Sequence, residues 1–369
     1  MIKESLKSIL ASAMMLIILA CCSSETETKN LKIRAVVDTV GFAHKAVQMD
    51  SVMARILRYQ QPLLRKAEQM VNITGHTTWK LAISPHDDYT YAAYLYPAVL
   101  RNVRAKTLIL FGVAHKARKL GLQDQLIFDN FDAWHGPYGP IMVSPLREQI
   151  IRQLPDSLYQ VNNEMQTMEH SLEALLPFLQ YYNRDIEIIP ILVPYMSYER
   201  MEQIAPLLAK AINSVARGKN WRWGKDFTLL VSNDAVHYGD TDWGGKNFAR
   251  YGADSAGYKK ALQHEREIIQ TCLVGSPSPQ KIKKFTEYTV QKEDYKQYKW
   301  TWCGRYSLPF GLLTAYYLQK ERGKNINGRL VGYSNSIAHP PVPVSDLGMG
   351  ITAPANIRHW VGYVAVGYE

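Results

Sequence analysis

Three stretches of this chain run apolar and then reach a histidine. "WKLAISPHDDY" ends its run at His86, "KTLILFGVAHKARK" carries Leu108 to Val113 up to His115, and "FTLLVSNDAVHYG" arrives at His237. Short uninterrupted apolar runs of this kind read as strands covered on both faces, the pattern of a parallel sheet between layers of helix. Segments of helical period separate them. Gln48 to Val71 spaces Val52, Ile56, Leu63, Ala67 and Met70 along one face, and Ser197 to Ala216 is a long helix stopped by Gly218. Further helices are expected over Tyr89–Val103, Pro145–Leu154, Glu169–Tyr182, Ser255–Cys272 and Leu308–Arg322. Further strands are expected over residues 121–129 and Ile186–Val193, with the strands named above over Lys80–Ile83, Thr107–Gly112 and Thr228–Val231. "RLVGYSNS" and "WVGYVAVGY" read as closing strands, and "GDTDWGGKNFARYG" as a polar loop over the sheet. This alternation gives an α/β fold, a three-layer α/β/α sandwich around a mostly parallel central sheet.

The first residues read as targeting sequence. Lys3 and Lys7 precede an apolar stretch from Ile9 to Ala20, too short to span a bilayer, and Cys21 follows. Ile18-Leu19-Ala20-Cys21 resembles the lipobox of bacterial lipoproteins, where the signal is cut before a cysteine that is then lipidated. The expected organisation is a signal peptide over 1–20, a lipidated N-terminus and tether over 21–45, and one domain over 46–369. An ordinary cleaved signal and an N-terminal anchor are the alternatives. A lipid bilayer is then a partner through the acyl anchor, and the location is the cell envelope, facing an extracytoplasmic compartment. Net charge is +10, and +9 once residues 1–20 are removed. That balance suits anionic lipid, polysaccharide or acidic substrate. No nucleic-acid motif accompanies it.

In open α/β sheets, ligands bind beyond the carboxyl ends of the strands, where His86, His115 and His237 all fall. Neutral imidazoles on separate strands suit a transition metal such as copper, iron or zinc. The third ligand is open among Asp87 and Asp88, Asp234 and Cys303. Asp234, three residues before His237, either orients an imidazole or reaches the site itself. Cys303 precedes a helix start and adjoins Arg305, both of which favour thiolate; a disulfide to Cys272 or an inert buried thiol are its other readings.

"SPHDDYTYAA", "LILFGVAH", "WHGPYGPIMV", "EHSLEALLPFLQ", "IEIIPILVP", "LLVSNDAVHYG" and "CGRYSLPFGLL", in that order over roughly residues 78–366, resemble the Memo family. Its bacterial members are also called AmmeMemoRadiSam system protein B. The resemblance implies a fold like that of class III extradiol dioxygenases, with a metal cleft. It matches His86, His115 and Cys303 to metal-ligand positions, and His237, Asp234 and His170 to cleft residues with catalytic roles; a helix cap or the partner of a core carbonyl are the other readings of His170. The chain departs from the family where Asp87 and Asp88 replace a small residue and glycine, and where "GVAH" replaces a "GPSH"-like turn. The two aspartates have three readings: metal ligands, perturbers of a histidine, or caps of the following helix.

Three functions follow. The first is a redox metalloprotein acting on a small molecule or dioxygen, with His237 as general base held by Asp234. The second is a zinc hydrolase on His86, an aspartate and His115, with Asp87 or Asp88 as base. The third is a non-catalytic binder of peptide or glycan in the same cleft.

Overall fold

The computed structural model describes residues 30–369. The expected signal peptide and the lipidation site Cys21 lie outside the described residues. One compact unit runs from Ile33 to Glu369.

Its centre is a run of parallel strands: β2 (Leu81–Ser84), β3 (Thr107–Val113), β8 (Glu187–Val193) and β9 (Phe227–Ser232), in the spatial order β8-β3-β9-β2. Every residue of β2, β3 and β9 is buried. Their side chains alternate between two cores. Leu81, Ile83, Ile109, Phe111, Leu229 and Val231 enter one, and Ala82, Leu108, Leu110 and Leu230 the other. The middles of these strands are therefore apolar on both faces, because each face has its own layer to pack against. Helices Tyr198–Gly218 and Ser307–Arg322 cover the first face through residues such as Met201, Leu208, Phe310 and Leu313. Helices Ala46–Tyr59, Leu95–Leu100 and Leu176–Tyr182 cover the second through Met49, Val52, Leu95 and Phe178.

Antiparallel strands finish the sheet. β12 (His359–Tyr368) pairs with β2 along its C-terminal half and with β10 (Asp234–Gly239) along its N-terminal half; β11 (Gly328–Asn335) pairs with its other edge. The two closing strands expected from the sequence are these. The loop after Tyr238 holds no strand or helix until Ser255.

Several boundaries differ from expectation, each for a local reason. The helix expected over Gln48–Val71 breaks at Gln60, because Pro62 opens a new helix over Gln61–Met70. Tyr89–Val103 splits into Tyr89–Ala92 and Leu95–Leu100, with the Tyr94 N–H turned to the Gln60 side chain at 3.2 Å. The helix expected from Glu169 starts only at Leu176, again beside a proline, Pro177. Asp124, at φ 61°, shortens the strand expected over residues 121–129 to Leu126–Phe128.

The expected tether over 21–45 also needs correction. From Ile33 the chain is part of the domain: Ile33–Arg34 pairs in parallel with Ala133–Trp134, and Phe42 is buried. Arg34 is 1% exposed. Its guanidinium pairs with Glu173, donates to the carbonyls of Gln166 and Glu169, and lies 4.0 Å from the Trp134 ring centroid. A buried cation so fully matched fixes this strap across the mouth of the sheet.

Candidate metal centre

β2, β9 and β3 are neighbours, so the turns leaving β2 and β3 and the strand continuing β9 meet at one rim. His86 lies two residues past Ser84 and His115 two past Val113. Asp234 and His237 sit on β10, three residues apart, where a regular strand would face them oppositely. A bulge resolves this: Asp234 pairs with Tyr363 and His237 with Val361, so three residues on β10 oppose two on β12. Both side chains then line the cleft, a cavity of about 170 Å³ shared with His86, His115 and His170.

Cys303 enters from the turn before helix Ser307–Arg322. Gly304 beside it is pressed against Asn233, where a Cβ would fall 2.1 Å from the Asn233 Oδ1. One ligand atom each from His86, His115 and Cys303 lies within 4.8 Å of the others. The Cys303 Sγ is 3.2 Å from the His86 Nε2.

The hydrogen bonds behind the rings decide which nitrogens face this point. The Ser232 hydroxyl donates to the Ser171 carbonyl at 2.6 Å, so towards His86 it can only accept. The His86 Nδ1, 2.7 Å away, therefore carries the proton, and Nε2 presents its lone pair beside the sulfur. Glu169 does the same for His115: its Oε1 takes the Nδ1–H at 2.9 Å and its Oε2 takes the backbone N–H at 2.7 Å. Burial would raise the Glu169 carboxyl, but the His115 and His170 rings and the hydrogen bonds to it outweigh that and hold it well below the usual carboxylate range. An anionic acceptor behind one imidazole and a committed hydroxyl behind the other are the supports that metal-binding histidines use.

Burial also favours the neutral form of His86, His170 and His237. It pushes His86 well below its ordinary value, with the neighbouring His115 and His170 adding to the effect, and lowers His170. His237 falls to about 4, through burial and then His115. Its Nδ1 is buried without a partner. The set of two imidazole nitrogens and one sulfur thus fits a soft or borderline transition metal.

Three expectations change. First, Asp234 does not hold His237. Its Oδ1 accepts the His86 N–H at 2.8 Å, its Oδ2 lies 3.4 Å from the His86 Nε2, and its own N–H donates to the Cys303 Sγ at 3.3 Å. It serves the ligands, while His237 is fixed by its backbone to Thr301. Second, the protein by itself favours the Cys303 thiol. Burial and then the Asp234 carboxylate push it well up, and Arg305 is the smaller, opposing influence. Loss of the thiol proton must come with ligation. Cys272 is a separate free, buried thiol. Third, Asp87 and Asp88 are not in the ligand group and do not cap the next helix. Asp87 accepts from the Tyr363 hydroxyl at 2.7 Å, and Asp88 from the Thr352 N–H at 2.6 Å.

Sequence reasoning missed Glu169. The signal was present in "EHS", but a glutamate at an expected helix start reads as a first-turn acid. The carboxylate instead takes the N–H groups of His170 and Ser171, and His170 stacks on His115 with centroids 5.0 Å apart. The strap adds two more unforeseen wall residues, Asp38 and Phe42.

Comparison with known proteins agrees with this geometry. The chain is 25% identical over 181 residues to a MEMO1 family protein of Pyrobaculum aerophilum, covering 47% of this chain and 58% of that one. It is 30% identical over 162 residues to one of Methanosarcina barkeri, covering 42% and 54%, and 28% identical over 165 residues to one of Aquifex aeolicus, covering 43% and 54%. The aligned stretch thus spans little more than half the length of these relatives. The sequence model of the family described as Memo-like protein matches residues 56–345, well over half of the chain and including every residue of the ligand group. The chain belongs to the Memo family.

Proposed function

We propose that this protein is an envelope-anchored redox metalloprotein whose cleft takes a small molecule or dioxygen at a copper or iron ion held by His86, His115 and Cys303. The observation that carries the reading is the convergence of those three side chains within 4.8 Å, with both ring tautomers fixed from behind. A bound copper or iron ion would supply one-electron chemistry that zinc cannot. The chain's own residues supply the rest. His237, neutral at pH 7 and with a free Nδ1, is the group able to take a proton in the cleft. Phe42 and Trp243 narrow the cavity and limit water. The anchor rests on the sequence up to Cys21 alone. Among the described residues, no helix is long and apolar enough to cross a membrane.

The zinc-hydrolase reading loses support because Asp87 and Asp88 are committed to Tyr363 and Thr352. The test compares copper-, iron- and zinc-loaded protein for dioxygen consumption with an added reductant. Consumption with copper or iron, lost in His237→Ala while metal is retained, supports the proposal. Equal inertness of all three forms with intact peptide binding would favour a binder.

A further inference from the structure

A second cavity, of about 610 Å³, lies on the other side of the Cys303 turn and shares no lining residue with the metal cleft. It is built where the start of helix Tyr198–Gly218 faces helix Pro279–Thr289 and the segment leading to Cys303. Its volume suits an organic ligand of moderate size.

Arg305 reaches its wall. The residue is 5% exposed, yet its guanidinium is poorly matched: Nη2 reaches the Lys296 carbonyl only at 3.5 Å, and Nε is buried without an acceptor. The aromatic rings of Tyr298 and Tyr306, with centroids 3.6 and 4.6 Å away, hold its plane. This contrasts with Arg34, the other deeply buried arginine, whose donors meet a carboxylate and two carbonyls. A buried guanidinium held flat with donors to spare is a fork that fits a carboxylate or a comparable oxyanion.

The surroundings agree in sign. Lys283, Lys292 and Lys299 line the same cavity from exposed positions. Its two carboxylates are Glu287, already paired with Lys284 at 3.4 Å, and Glu199, exposed. Met196 and Met201 give it an apolar, adaptable floor. We infer that this cavity is a binding site for an organic anion, an apolar body bearing a carboxylate or sulfonate that reaches Arg305. It is independent of the metal and of the redox reading above.

The test uses 8-anilinonaphthalene-1-sulfonate as a fluorescent probe on the folded, full-length domain, with benzoate and benzylamine as competitors. The expected result is saturable binding, displaced by benzoate but not by benzylamine. Arg305→Met should weaken it about tenfold, the loss of a hydrogen bond to a charged group. The double variant Lys283→Gln/Lys292→Gln should weaken it about threefold. Unchanged affinity in a folded Arg305→Met, or equal displacement by benzylamine, would overturn the proposal. If Arg305→Met fails to fold, the exposed lysine pair decides, and unchanged affinity there overturns it equally.

Discussion

At the scale of single residues, the cleft depends on side chains that stand behind the candidate ligands. Glu169 and Ser232 settle which nitrogen of His115 and His86 carries the proton. Glu169→Gln keeps the shape and removes the charge behind His115; metal affinity should fall about 10- to 100-fold. Ser232→Ala leaves the His86 Nδ1–H without an acceptor and should cost a similar factor. Competition titrations against a chelator measure both, and unchanged affinity would show that the tautomers are set elsewhere. The candidate ligands His86 and His115 were legible in the sequence because strand ends advertise them, whereas Cys303 emerged as the third only through the family resemblance. Glu169 was not, because its role depends on a fold that places it 2.9 Å from a histidine 54 positions earlier.

At the scale of elements, Glu265 of helix Ser255–Cys272 ties the cysteine-bearing segment to β10. Its Oε1 accepts both the Trp300 and Trp302 indole N–H groups at 2.6 Å, and its Oε2 accepts the Val236 N–H at 3.2 Å. Burial raises this carboxyl to about 7 from an ordinary 4.5, against the pull of those hydrogen bonds. The folded state therefore holds a proton that the unfolded chain has released between those values. Stability falls as pH rises through that window, by about 3 kcal/mol, and is level above it. Glu265→Gln should remove this share of the slope in denaturant unfolding measured from pH 4.5 to 7.5, leaving that of Asp88, which burial and Asp87 also raise to about 7; a slope unchanged in the variant would contradict the assignment. The strap over residues 33–45 is a second such element. Arg34→Ala leaves Glu173 buried and unpaired and should destabilise the domain by about 3–5 kcal/mol. Unfolding measurements check it, and protease cutting before Phe42 should increase. The sequence could not reveal this strap, because a two-residue strand has no period and its partner Ala133–Trp134 is a hundred residues away. The long buried strands were legible for the opposite reason: each carries its whole pattern within itself. Helix ends were misplaced where Pro62 and Pro177 open a new helix inside an apolar pattern that continues past them.

At the scale of the molecule, a sheet covered on both faces leaves only its strand ends free for chemistry, and this chain brings its metal-binding groups there from opposite ends of the domain. The account stands on those groups taking up one ion together. The most direct measurement is metal content by elemental analysis on purified protein, reconstituted with copper or iron, for the wild type beside His86→Ala, His115→Ala and Cys303→Ala. One ion per chain in the wild type, lost in each variant while circular dichroism shows the fold retained, is the predicted result. Undiminished metal in a folded Cys303→Ala, or none in the wild type after reconstitution, would contradict it.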